Sequence, residues 1–182
     1  MSERDLRRWC RLANRAGRNV CGYRNSCIAT SHALAAFLRS RGLEADPFRA
    51  EVHVWTGSRE IPGFVLGSSG DGSRRPAAGP GMWHGHLAVR SGEYVLDPTI
   101  DQAAAGKVRL KPAVFAVPAD WDDDVRYFDW NTGTFRWEEN GLAVSYGRYY
   151  RQVGWKSAGD ARPSRWRDIA AEMEFLSEIG WH

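Results

Sequence analysis

The chain has 182 residues, the size of one ordinary domain, and its hydrophobic fraction of 43% and charged fraction of 26% are those of a globular protein. With 25 Lys and Arg against 22 Asp and Glu, the net charge of +3 is too small for a dedicated nucleic-acid binder. No apolar run approaches the roughly 20 residues of a membrane span, and the N-terminus has no secretory h-region. We therefore expect a cytoplasmic protein, a single domain over 1–182, with neither nucleic acid nor membrane as a partner. Nine Trp, six Tyr and seven Phe are more aromatic residues than a core needs, and such rings also line clefts and interfaces.

Along the chain, residues 3–15 predict a helix capped by Ser2, with Leu6, Trp9, Cys10 and Ala13 on one face. Its arginines Arg4, Arg7, Arg8 and Arg11 read as a solvated face. A loop through Cys21 leads to a second helix over about 27–41, stopped by Gly42. Residues 48–55 alternate as a strand, with His53 on the polar side. Residues 67–81 are Gly, Ser or Pro at ten of fifteen positions, which predicts a mobile loop or lid.

Two strands then flank a tight Ser91-Gly92 turn, and further strands are expected at 113–118, 125–130, 134–138 and 142–146. Asp120 and Asp122–Asp124 around Trp121 lack the spacing of a calcium loop and read as a solvated turn. Aromatic residues from Tyr127 to Trp155 pack the sheet or line a groove. A helix over about 164–179 carries Trp166, Ile169, Met173 and Leu176 on one side. Helices, then an antiparallel sheet, then a helix make the fold class α+β.

Three cysteines, Cys10, Cys21 and Cys27, fit neither a disulfide framework nor zinc spacing, so no metal and no cofactor is expected. Cys10 lies on an apolar stripe. Cys27 opens the second helix at the tip of its buried face, within about 80° of Thr30, Leu34, Phe37 and Leu38. There the helix's N–H groups favour a thiolate and can donate to an oxyanion. His32 lies about 140° away and reads as a rim residue. With Ser91-Gly92 as the turn, Arg90 faces Glu93, Ala88 faces Val95 and His86 faces Asp97, an imidazole opposite a carboxylate. His84, opposite Thr99, is the reserve base, and Asp101 lies beyond Pro98, outside the paired strand.

Cys27 opening a helix that ends in Arg41-Gly42-Leu43-Glu44-Ala45, a strand beginning at His86, and Leu96-Asp97-Pro98-Thr99 together resemble the transglutaminase-like branch of the papain-like cysteine-enzyme superfamily. The matched stretch runs from about Ser26 to Thr99. The resemblance implies a papain-like fold with the nucleophile helix packed on an antiparallel sheet, Cys27 as nucleophile, His86 as base and Asp97 as orienting acid. Ala88 stands where the family has an aromatic residue, and Gly22-Tyr23-Arg24-Asn25-Ser26 replaces its tryptophan-bearing approach, leaving Asn25 or Tyr23 as weak candidates for the side-chain oxyanion donor. The expected function is thiol-dependent acyl transfer on amide bonds of a peptide or protein substrate. Proteolysis, deamidation and transamidation share its first half-reaction. Two other readings stand beside it: a non-catalytic papain-like binding or structural module, and an arylamine N-acetyltransferase-like enzyme. The latter's paired glycines before the cysteine and Asp-Val-Gly run are absent here.

Overall fold

A capping box starts the chain. Ser2 Oγ accepts from Asp5 N–H at 3.2 Å, and the Asp5 carboxylate accepts in return from the Ser2 N–H. The helix it opens, α1 (Glu3–Cys21), runs six residues past the expected end at 15. Gly17 does not break it; Gly22, at φ +72°, does. In a computed structural model, the structure describes residues 1–22, 26–55, 64–66, 86–103, 111–117, 134–139, 142–148 and 162–181.

The remaining elements are α2 (Cys27–Arg39), β1 (Asp46–Trp55), β2 (Phe64–Leu66), β3 (His86–Ser91), β4 (Tyr94–Asp97), α3 (Ile100–Ala103), β5 (Ala113–Ala116), β6 (Thr134–Glu139), β7 (Leu142–Arg148) and α4 (Pro163–Glu178). The α+β class is therefore observed. Of the expected elements, the strand at 125–130 and the loop at 67–81 lie outside the described residues. Sequence reading missed β2 and α3, each too short to show a period. No helix among the described residues is long and apolar enough to cross a membrane.

The chain divides into two compact units. The first comprises Met1–Phe48, Leu87–Ala116 and Gly159–His182. In it, α1, α2 and α4 cover an antiparallel sheet in which β4 lies between β3 and β5. Val89 pairs with Leu96 and Leu96 with Val114, one cross-strand row that meets Leu6, Cys10 and Ala13 of α1, Leu34 and Phe37 of α2, and Ile169 and Met173 of α4. Burial of that row and of the helix faces on it is the main stabilising term of this unit. Polar ties close the rim: Arg41 reaches Glu174 with two hydrogen bonds and lies over the Phe37 ring, while Asn19 donates to Glu172.

The second unit comprises Arg49–His86 and Val117–Ala158. Within it β1 pairs with β2 on one side, Val52 opposite Leu66, and with β7 on the other, Val52 opposite Tyr146; β7 also pairs with β6. Glu139 sits opposite Leu142, and the Asn140-Gly141 turn expected between them lies outside the described residues.

Gly17 marks where α1 and α2 touch. A Cβ there would lie 2.5 Å from Thr30 Oγ1 and 3.2 Å from its Cγ2. Thr30 is fully buried, and its hydroxyl is committed to Ser26 Oγ. We therefore expect Gly17→Ala to destabilise by about 1–3 kcal/mol from overpacking, although helix propensity alone favours Ala by about 1 kcal/mol. Urea denaturation of Gly17→Ala, alone and with Thr30→Ala, checks this; the double variant should regain part of the loss.

Candidate active site

The N-terminal end of α2 is set by sequence. Ile28, Ala29, Ala33, Leu34, Phe37 and Leu38 bury the helix on most sides, and Gly42 at φ +75° with Leu43 closes its far end. Cys27 is its first residue and is half-buried, while Cys10 is wholly buried in α1 and directs its thiol to the Ala113 carbonyl at 3.5 Å. Burial pushes the Cys10 thiol well up, with the charge of Asp97 adding to the rise. Cys21, expected in a loop, occupies the last position of α1. Tyr23 and Asn25 lie outside the described residues.

The hairpin differs from the sequence expectation. Ser91 pairs with Tyr94, Arg90 with Val95 and Val89 with Leu96, so the turn is Gly92-Glu93 and not Ser91-Gly92. Two causes act together. Gly92 adopts φ +55°, which the first central position of a tight hairpin turn demands, and Ser91 is held in the strand by donating to the Glu44 carbonyl at 2.7 Å. The register thus moves by two residues. Continued by one pair it sets Ala88, not His86, opposite Asp97. The expected pairing of His86 with Asp97 is therefore replaced: Asp97 falls in the first unit and His86 ends the Arg49–His86 stretch of the second.

His86 opens β3 and is buried, with 4% of its surface exposed. Asp97 closes β4 and is wholly out of solvent, accepting from the Thr99 N–H at 3.0 Å and the Thr99 hydroxyl at 3.4 Å. His84 lies outside the described residues. Among those described, no group of three His, Cys, Asp or Glu is placed to hold a metal ion.

Three polar residues that sequence reading passed over surround this segment. Asn14 donates to the Pro98 carbonyl at 2.6 Å and to Asp101 Oδ1 at 2.9 Å, and Arg18 pairs with the same carboxylate. Burial raises the Asp101 carboxyl, and Arg18 and Asn14 oppose that rise. Asp101 is therefore no inert residue beyond the strand, because it holds α3 to α1. Gln102 joins α3 to Ser26, the residue before Cys27, through three hydrogen bonds. A signal existed for Asn14: it is a buried polar residue on the core side of an amphipathic helix. None existed for Gln102, since only the fold brings it to Ser26.

His32 is half-buried and packs edge-on against Trp166 of α4, ring centroids 4.2 Å apart, a contact that the sequence reading did not foresee. Desolvation, helped by Arg39, lowers its pKa from 6.5 to about 4. The unfolded chain therefore binds the proton more tightly, and stability is full above pH 6.5 and falls as pH drops from there towards 4. Unfolding midpoints measured across that window should decline, and His32→Gln should flatten the decline.

The chain matches no protein family, no curated protein and no solved structure.

Proposed function

We propose that the protein is a thiol-dependent acyl-transfer enzyme with a transglutaminase-like, papain-type arrangement, acting on amide bonds of a peptide or protein. Cys27 attacks the carboxamide or peptide carbonyl. His86 takes the thiol proton and passes it to the departing amine, and Asp97 fixes the imidazole and stabilises its cation. The resulting thioester is released to water or to an amine.

The observation that carries this reading is the burial of two ionisable groups at the ends of adjacent strands: a histidine 4% exposed opens β3 and a carboxylate with no exposure closes β4. A carboxylate withdrawn from water is costly unless donors or a cation compensate it, and Thr99 supplies two such donors. The half-buried thiol at the start of α2 supports the nucleophile's role, because it is within reach of a reagent while Cys10 is wholly buried.

Brief iodoacetamide treatment followed by mass mapping should modify Cys27 first, Cys21 more slowly and Cys10 least. Preferential modification of Cys21 would remove Cys27 from the reaction. On a protein substrate such as casein, ammonia release would report deamidation or transamidation, and new amino termini would report proteolysis. Asp97→Asn keeps the shape and removes the charge, so turnover should fall by about 10³–10⁴-fold with the fold unchanged; turnover within a factor of a few of the native protein would exclude Asp97 from the machinery.

A further inference from the structure

Ser26 stands in the N-cap position of α2, where a serine hydroxyl ordinarily accepts from an N–H of the helix's own first turn. It makes no such bond. Instead its hydroxyl donates to Gln102 Oε1 at 3.0 Å and accepts from Gln102 Nε2 at 2.9 Å and from the Thr30 hydroxyl at 3.2 Å. The Ser26 backbone N–H also donates to Gln102 Oε1, at 3.3 Å. A backbone N–H can only donate, so the amide oxygen must face it, and the orientation of the Gln102 amide follows from chemistry. Ser26 is wholly buried, so these partners are the ones it depends on.

Gln102 belongs to α3, which begins two residues after Pro98. Its N–H donates to the Thr99 carbonyl at 3.0 Å, and Thr99 in turn donates twice to the Asp97 carboxylate. Pro98 and Asp101 on either side of Thr99 are clamped to α1 by Asn14 and Arg18. A continuous hydrogen-bonded path thus runs from Asp97 through Thr99 and Gln102 to Ser26, the residue that carries Cys27. All of it lies within the first unit.

We propose that Gln102 is a positioning residue for Cys27: its amide grips Ser26 on both the main chain and the hydroxyl and so fixes the first turn of α2 against the Asp97 turn. This rests on the acyl-transfer reading for its purpose, though not for its test. Gln102 touches no reacting atom. It acts by holding the peptide that presents the thiol, so its loss loosens the turn that sets where the thiol stands.

The test is the rate of Cys27 alkylation by iodoacetamide, mapped by mass as a function of pH, with the thermal midpoint measured on each sample. Gln102→Met keeps the volume and removes the hydrogen bonds; Gln102→Ala removes both. In each, we expect the Cys27 pH profile to change, with reaction about five- to tenfold slower near neutrality, while Cys21 is unchanged. Ser26→Ala combined with Gln102→Met should slow Cys27 no further than the slower single variant, since one acts through the other. An unaltered Cys27 profile in Gln102→Met, or additive effects in the double variant, would overturn the proposal. A native Cys27 that reacts no faster than Cys21 would instead overturn the acyl-transfer reading, with the variant-to-native ratio still reporting on Gln102. Loss of turnover in Gln102→Met with an unaltered Cys27 profile would leave that reading standing and remove the positioning role.

Discussion

Two helices of this protein approach each other more closely than side chains ordinarily permit, and the candidate site is built on that approach. Where Gly17 of α1 passes Thr30 of α2 there is no room for even a methyl group. Thr30 lies one turn after Ser26 and is tied to it by a buried hydroxyl pair. The separation of α1 and α2 is therefore communicated directly to the residue before Cys27. Ser26 and Thr30 are both buried, and each depends on its hydroxyl partner, so the start of α2 is fixed by the bonds it makes. Ser31 makes the same point from the other side, donating to the Leu87 carbonyl of β3 at 2.9 Å and so fixing α2 on the sheet.

Asp97 and Asp101 are handled differently although only four residues separate them, the first ending β4 and the second in α3. Asp97 has its Thr99 donors from its own turn and no exposure to solvent. Asp101 keeps a small exposed edge and is met from α1, by the Asn14 amide and the Arg18 guanidinium. The first carboxylate is organised locally and the second by a helix more than eighty residues away in sequence. Burial and the Asp97 charge raise the Asp101 carboxyl, and the Arg18 guanidinium opposes that rise.

Much of this was legible in the sequence, and what was not has physical causes. Hydrophobic period and turn residues gave α2, α4 and the strands β1, β5, β6 and β7 to within a few residues, because each buries one face and ends at a residue with special backbone freedom. Cys10 read correctly as a core residue from its apolar stripe. The end of α1 was misplaced because Gly17 looks like a terminator; its reason for being glycine is a tertiary contact that no local pattern records. The hairpin register failed similarly. Gly92 can sit at either central position of a two-residue turn, and the choice was made by a bond from Ser91 to Glu44, far outside the hairpin. The contact of His32 with Trp166 was not legible because a helical wheel sees one helix, whereas Trp166 arrives from another. Gln102, Asn14 and Arg18 meet their partners only once the fold has formed.

The order in which these parts leave the ribosome follows from the division into units. The first unit is assembled from three separated stretches of chain and the second from two, so neither can be prepared by cutting the chain once. α1 and α2 emerge early but cannot cover their apolar faces until β4, β5 and finally α4 have been made, more than a hundred residues later. During synthesis the nascent helices must therefore wait with Leu6, Leu34 and Phe37 exposed. That delay makes the newborn chain dependent on late completion, and a translational stall before Pro163 would release a species with an open apolar surface and a strong tendency to associate.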